Sequence, residues 1–245
     1  MARRFEELDW RPTPLGEISL RRRLDPASGG EVYEVKLDDD FLMSSLWTAG
    51  EVALARLGLD AAAGDRLDVA VGGLGLGYTA HAALRDRRVR SLTVVEALGE
   101  VIEWHRAGMV PLGAGLVADP RCSLVQGDFF EMAAEPSALA AASGLGPKGL
   151  LHAVLVDIDH SPRHVLATGH ASFYGPDPLR RLAAQLHPGG VFALWSTSPP
   201  DDGFQAVLDE VFAESSAHVV EFPNPFQERT ETNTVYVAST APPGR

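Results

Sequence analysis

The stretch DVAVGGLGLGYTA, Asp68 to Ala80, decides the fold of this chain. It begins as an apolar strand, passes through four glycines within six residues (Gly72, Gly73, Gly75 and Gly77) and continues as a helix. Glycine permits positive φ angles and lets a ligand approach the backbone closely. The turn therefore predicts a loop that holds a nucleotide. The alternative is a turn that only packs the helix on the sheet.

The alternation of strands and helices continues along the rest of the chain. Short apolar runs predict strands at 67–71, 91–95, 122–126, 152–156 and 191–195. Helical spacing predicts helices near 77–86, 99–108, 130–142, 177–187 and 203–214. This order is typical of a parallel sheet that is covered by helices on both faces.

The last two predicted strands distinguish two kinds of nucleotide-binding sheet. They are HVVEF (218–222) and NTVYVAS (233–239), and only ten residues separate them. A parallel crossover needs about a dozen residues or more, so these strands should form an antiparallel pair. Such a hairpin is characteristic of the methyltransferase-like (Rossmann-like) fold that binds S-adenosylmethionine (AdoMet). We therefore predict an α/β fold with a seven-stranded methyltransferase-like sheet and an antiparallel C-terminal hairpin.

The register of the glycine loop also disfavours NAD. A dinucleotide fingerprint can be placed on residues 75–80, but its first glycine should end the strand. The strand ends instead at Gly72, three residues earlier. A longer GGxGxG loop suits a nucleoside without a pyrophosphate. NAD-linked oxidation is the disfavoured alternative.

The first sixty residues differ from the rest of the chain. The stretches GEISLRRRLD (16–25) and GEVYEVKLDDDFLMS (30–44) alternate and are rich in β-branched or aromatic residues. This pattern predicts a hairpin or small antiparallel sheet. The stretch SLWTAGEVALARLGL (45–59) has helical spacing, and we predict a helix that is capped by Ser44 or Ser45.

Composition restricts the class of protein. The chain has 245 residues, 45% of them hydrophobic, and a formal net charge of -12. Nucleic acid and membranes are therefore disfavoured partners, and a small-molecule substrate is expected. Cys122 is the only cysteine, and the sequence has no apolar signal core and no membrane-length apolar stretch, so we expect a cytoplasmic protein. We predict a β-rich segment with a linking helix at 1–60 and a nucleotide-binding catalytic domain at 61–245.

Acidic residues follow three successive strands at the edge where ligands bind in open α/β sheets. Glu96 ends the second strand, nineteen residues after Gly77, where a carboxylate can accept hydrogen bonds from ribose or cap the next helix. Gly127 and Asp128 follow the third strand, where an amide and an acid can recognise adenine, although Gly-Asp is also a common turn. Asp157 follows the fourth strand, where a carboxylate can position or deprotonate an amine or hydroxyl.

Other side chains near the fourth and fifth strand ends are candidate ligand contacts. Asp159 is either a second functional carboxylate or an acid that points to solvent, which is the interpretation we favour. His160, His164 and His170 could form a metal site with these aspartates. Histidines in a polar loop are more often solvent contacts, so no metal is predicted. Trp195 closes the fifth strand and could contact an acceptor cation or belong to the core.

The order of these motifs resembles spermidine synthase-like proteins, the polyamine aminopropyltransferase family, over most of the chain. The matching stretches are PTPLGEISL, VKLDDDFLMSS, VGGLGLGYT, SLTVVEALGEVIEWHR, DPRCSLVQGDFF, AVLVDIDHSP and FYGPDPLRRLAAQLHPGGVFAL. The resemblance implies that Glu96 holds ribose and Asp128 contacts adenine. It implies that Asp157 stands where the family's catalytic aspartate stands, and that the protein is a homodimer.

Three departures from the family pattern bear on the substrate. Gly75 stands where the family's GGGDGG loop has an acid, which binds the amine of decarboxylated AdoMet and would repel the carboxylate of AdoMet. Of the family's Tyr-His/Gln-Glu motif, which holds the polyamine, only Glu51 remains. His160 replaces the second aspartate of the D-S-S-D motif.

These departures favour a spermidine synthase-like transferase that uses AdoMet to methylate a small acceptor. One alternative is a polyamine aminopropyltransferase that uses decarboxylated AdoMet as its co-substrate. Another is a non-catalytic relative that binds a nucleoside.

Overall fold

Two β-sheets of different size make up the fold in the computed structural model, which describes residues 5–26, 29–224 and 229–242. The small sheet is antiparallel, and its four strands are neighbours in chain order. They are β1 (Phe5–Thr13), β2 (Gly16–Leu24), β3 (Glu31–Leu37) and β4 (Asp40–Ser44).

The large sheet has seven strands in the order β10-β11-β9-β8-β5-β6-β7. They are β5 (Leu67–Gly72), β6 (Val89–Glu96), β7 (Cys122–Gln126), β8 (Leu151–Val156), β9 (Leu186–Ser196), β10 (Glu214–Asn224) and β11 (Arg229–Ser239). The first five are parallel, whereas β11 pairs antiparallel with both β9 and β10. The predicted fold class is confirmed, including the C-terminal hairpin, whose connecting residues 225–228 lie outside the described residues.

Eight α-helices and one 3₁₀ helix connect the strands in the described part of the chain. The α-helices are α1 (Ala49–Ala61), α2 (Tyr78–Leu84), α3 (Gly99–Arg106), α4 (Gly113–Ala118), α5 (Phe129–Ala134), α6 (Ala138–Ala142), α7 (Pro176–Ala183) and α8 (Asp202–Val211). The 3₁₀ helix is Thr168–Tyr174. Helices α1 to α4 pack on one face of the large sheet and α5 to α8 on the other, so its central strands are buried on both faces. Within the described ranges, no helix has both the length and the apolar character needed to cross a bilayer.

The predicted cap of α1 by Ser44 or Ser45 is wrong, because both serines interact with β3 and do not cap the helix. Ser44 ends β4 opposite Glu34, and Ser45 accepts a hydrogen bond from the backbone N–H of Tyr33 at 3.0 Å. The helix therefore begins only after Thr48.

A proline divides the helix that was predicted at 130–142. Glu135, which precedes Pro136, has extended φ and ψ angles of -89° and 133°. The residue before a proline is biased away from the α conformation, so α5 ends there and α6 starts separately. Strand β1 was not predicted, since four of the nine residues in its sequence FEELDWRPT are charged and it contains a proline.

The small sheet is fixed to the large one through α3. Trp104 is fully buried, and its indole N–H donates to the carboxylate of Asp9 on β1 at 2.6 Å. Arg11, on the same strand, forms an ion pair with Glu103. These contacts hold the small sheet over the carboxyl ends of the parallel strands.

Asp9→Ala should lower the free energy of unfolding by about 1–3 kcal/mol, because it leaves the buried Trp104 N–H without its partner. Urea denaturation followed by tryptophan fluorescence measures this change. Glu7→Ala, which alters an exposed residue of the same strand, is the matched control and should have little effect. Equal effects of the two substitutions would contradict the role given to Asp9.

Candidate active site

A cavity of about 410 Å³ lies between the small sheet and the carboxyl ends of β5, β6, β7 and β8. Pockets for small ligands typically measure roughly 300–1,000 Å³, so a nucleoside-sized ligand fits. The carboxyl edge of the large sheet contributes most of the polar residues, α1 contributes Glu51, and the small sheet contributes an apolar cover. The cover comprises Pro14, Leu15, Ile18, Val35, Leu37, Leu42 and Met43.

The glycine loop lies tightly against the end of β8. Gly73 has a φ of +92°, and a Cβ there would overlap the carbonyl oxygen of Asp157, so only glycine permits this approach. Gly75 has a φ of +47°, and a Cβ there would lie 2.7 Å from the sulfur of Met43. That sulfur accepts a hydrogen bond from the backbone N–H of Leu76 at 2.9 Å. Met43 therefore occupies the space that a longer side chain at position 75 would need.

The other two glycines of the predicted loop have packing roles and do not line the cavity. Gly72 ends β5 against the ring of Phe129, and Gly77 precedes α2 against His105. Burial lowers the pKa of His105. Its Nε2–H donates to the carbonyl of Gly75 at 2.9 Å, since a carbonyl oxygen can only accept. This bond fixes the glycine loop from a residue that is outside the cavity lining.

Glu96 lies at the centre of the polar wall. Its two carboxylate oxygens accept hydrogen bonds from the backbone N–H groups of Leu74 and Leu98, each at 2.9 Å. Burial raises the pKa of Glu96, while these backbone donors oppose the shift. Each oxygen keeps a second lone pair, so the carboxylate can still accept hydrogen bonds from ribose hydroxyls.

Asp128 combines a structural role at the start of α5 with a place in the cavity lining. Its Oδ1 caps α5 by accepting from the N–H groups of Phe130 and Glu131, at 2.8 and 3.1 Å. Among the described residues nothing donates to its Oδ2, which can accept from a base. The Gly127 N–H donates to the carbonyl of Glu96 at 3.0 Å. Asp128, and not the Gly127 amide, is therefore the candidate for base recognition.

Two carboxyl groups of the cavity lining, those of Glu51 and Asp157, are close enough to interact electrostatically. Asp157 accepts a hydrogen bond from the hydroxyl of Thr79 at 2.6 Å, and Glu51 comes from the first turn of α1. Burial raises the pKa of both groups, and the charge of Asp157 raises that of Glu51 further. Because no basic side chain among the described residues forms an ion pair with either carboxylate, the pair tends to retain a proton near neutral pH. A cationic ligand would relieve this repulsion.

Trp195 borders the carboxyl pair. A Cβ at Gly50 would overlap its indole nitrogen, so this glycine allows α1 to contact the ring. The indole N–H is buried and has no hydrogen-bond partner within the described ranges. Both Trp195 and Glu51, which follows Gly50, line the cavity, so an indole belongs to the same lining as the acids.

Asp159 does not point to solvent, so the favoured interpretation from the sequence is wrong. Its side chain is fully buried, and each carboxylate oxygen accepts hydrogen bonds from the loop that follows β8. It is also absent from the cavity lining. A buried carboxylate needs such donors to offset its lost hydration, and the loop supplies them.

His160 lines the cavity near its mouth. Burial lowers its pKa, and the neighbouring His164, whose ring centroid lies 4.9 Å away, lowers it further. The described residues contain no group of three histidine, cysteine, aspartate or glutamate side chains that could hold a metal ion.

The described lining is rich in acids. It contains the carboxyl groups of Glu51, Glu96, Asp128 and Asp157, and neither a lysine nor an arginine. The negative potential of such a cleft attracts cations and repels a carboxylate on a ligand.

Several residues of the site were not predicted. Thr79 ends the glycine motif but gives no signal that its hydroxyl reaches Asp157. Met43 lies on β4, which is distant in sequence from the glycine loop, so no local pattern predicts their contact. His170 lines the cavity, although the sequence suggested for it only a metal-ligating or solvent role.

Glu51→Gln should stabilise the protein increasingly as pH rises. The folded-state pKa of Glu51 is raised, so the wild type loses stability as the pH climbs through that value, whereas glutamine does not ionise. The melting temperature of the variant, relative to wild type, should be higher at about pH 9 than at about pH 5. Glu131→Gln, at an exposed position, should show a constant difference. A constant difference for Glu51→Gln as well would contradict its burial as a carboxyl group.

No protein-family profile matches the sequence. Solved structures are similar to this chain along almost its whole length. A spermidine synthase from Thermotoga maritima and a spermidine synthase in complex with the transition-state analogue AdoDATO each have a TM-score of 0.71 at 16% identity. In both comparisons the match covers 96% of this chain and 72% of that chain.

A probable spermidine synthase from Corynebacterium glutamicum has a TM-score of 0.64 at 15% identity, covering 96% of this chain and 79% of that chain. At such identities the similarity establishes the fold. The chain has the class I methyltransferase-like fold that spermidine synthases share.

Proposed function

We propose that the protein transfers an aminopropyl group from decarboxylated AdoMet to a primary amine. The observation that carries the proposal is the pair of carboxyl groups of Glu51 and Asp157. They share with Trp195 a cavity whose described lining has no lysine or arginine. An ammonium group would supply the missing counter-ion, and the indole face would add a cation–π contact. This is the alternative function considered from the sequence, and it is now preferred to methyl transfer.

The polar wall supports the binding of a nucleoside. The carboxylate of Glu96 is held by backbone N–H groups and keeps lone pairs for ribose, while Oδ2 of Asp128 is available for an adenine. The donor would then extend from this wall toward Asp157. The solved neighbours support the same assignment, since they are described as spermidine synthases and one contains AdoDATO.

Charge favours the decarboxylated donor. Decarboxylated AdoMet carries only positive charges, on its sulfonium and its amine, whereas AdoMet adds a carboxylate. A lining with four acids and no basic side chain of lysine or arginine type would attract the former more strongly.

In the proposed reaction, ionised Asp157 accepts a proton from the substrate ammonium. The freed amine lone pair attacks the aminopropyl carbon that is bonded to the sulfonium, a new C–N bond forms, and the bond between that carbon and sulfur breaks with its electron pair moving to sulfur. The products are a secondary ammonium and 5′-methylthioadenosine. The raised pKa of Asp157 suits it to hold this proton, and the hydroxyl of Thr79 orients the carboxylate.

One observation favours AdoMet-dependent methyl transfer as a second candidate. Position 75 carries no acid, and the sulfur of Met43 fills the adjacent space, so no carboxylate there would repel the carboxylate of AdoMet.

We also propose that the substrates are small molecules and that the protein is a homodimer. Neither nucleic acid nor a membrane is a proposed partner.

Parallel assays should distinguish the two reactions. The protein is incubated with putrescine and either decarboxylated AdoMet or AdoMet, and the products are quantified by mass spectrometry. We expect 5′-methylthioadenosine and an aminopropylated amine from the decarboxylated donor. Formation of S-adenosylhomocysteine and a methylated amine would instead support methyl transfer. No turnover with either donor, despite nucleoside binding, would support the non-catalytic alternative.

Asp157→Asn should lower turnover by about 10²-fold or more while it leaves the affinity for 5′-methylthioadenosine nearly unchanged. The reason is that the amide keeps the shape of the side chain but cannot accept the proton. Initial rates and calorimetric titration measure the two effects separately. Glu131→Gln is the control for the loss of an acid outside the cavity. Full activity of Asp157→Asn would remove the carboxylate from the mechanism.

A further inference from the structure

Asp159 is the organising centre of the loop between β8 and α7. Its Oδ1 accepts from the backbone N–H of Leu166 at 2.7 Å and faces Nδ1 of His170 at 3.0 Å. Its Oδ2 accepts from the hydroxyl of Tyr174 at 2.7 Å. The carboxylate is only 1% exposed, so these three internal contacts replace its hydration.

The contact with Asp159 fixes the tautomer of His170. A carboxylate can only accept a hydrogen bond, so Nδ1 of the imidazole carries the hydrogen. In the neutral ring Nε2 is then a hydrogen-bond acceptor. No described residue bonds to Nε2, so this acceptor is free for a ligand.

The imidazole lies where the base of a bound nucleoside is expected. His170 lines the cavity, and its ring packs on that of Phe130 with 4.2 Å between centroids. Phe130 also lines the cavity, and it lies in the first turn of α5, which Asp128 caps. The free Nε2 and the free Oδ2 of Asp128 therefore belong to the same end of the cavity.

We infer that His170 recognises the nucleobase, as an acceptor for the 6-amino group of adenine, and that Asp159 is its positioning residue. This inference rests on the proposed function, which supplies an adenine nucleoside as ligand. A 6-oxo purine presents an oxygen at the same place, and two acceptors repel each other. The loop would thus select a 6-aminopurine.

The test compares two probes, 5′-methylthioadenosine and its 6-oxo analogue 5′-methylthioinosine, by calorimetric titration at about pH 8, where an ordinary imidazole is neutral. The wild type should prefer the amino probe. In His170→Ala this preference should fall by about 3- to 10-fold, as expected for one hydrogen bond. His164→Ala removes an exposed imidazole of the same loop that is outside the lining, and it should keep the wild-type preference.

Asp159→Asn should reduce the same preference. The amide can donate its N–H to Nδ1 of His170, so the ring hydrogen can move to Nε2, which then no longer accepts a hydrogen bond from the base. Should this variant fail to fold, His170→Ala decides alone. If His170→Ala weakens both probes by the same factor, the ring only packs on Phe130 and the inference is overturned. If the wild type binds neither probe, the proposed function itself is wrong. If His170→Ala binds both probes with the wild-type preference, the role of His170 is wrong while the proposed function still stands.

Discussion

The hydrogen bonds from Leu74 and Leu98 to the buried carboxylate of Glu96 are the constraint on which the site depends. They join the loop after β5 to the end of β6, and so give the cavity its polar wall. Desolvation disfavours the charged form of Glu96, and the backbone donors offset that cost. A carboxylate held in this way is rigid and accepts further hydrogen bonds without rearranging. The same residue therefore joins two loops of the fold and lines the cavity where the proposed function places the ribose.

The parallel sheet and its ligand edge could be predicted from the sequence because they depend on local patterns. Apolar runs ending in glycine or acid placed Glu96, Asp128 and Asp157 at one edge, and the short connection before 233–239 gave the antiparallel hairpin. The cap of α1 and the orientation of Asp159 could not be predicted in this way. Both depend on partners distant in sequence, namely the pairing of β3 with β4 and the donors of the loop after β8.

The position of the small sheet also could not be predicted from local sequence patterns. Its alternating pattern predicted strands but gave no indication that their inner face would cover the cavity. Met43 contacts Leu76 across 33 positions of sequence, and no periodicity reports such a contact. The carboxyl pair is a further case, since Glu51 lies on α1 and Asp157 follows β8. Local residue types predict which chemistry is present, whereas only packing determines which groups meet.

Helix α3 connects two parts of the site that would otherwise be separate. It starts three residues after Glu96, and near its other end Trp104 and Glu103 bind Asp9 and Arg11 of the small sheet. A short helix moves as a rigid rod. Any displacement of the small sheet should therefore also move the residues around Glu96. Opening of the cavity and the position of that carboxylate are thus expected to be mechanically coupled.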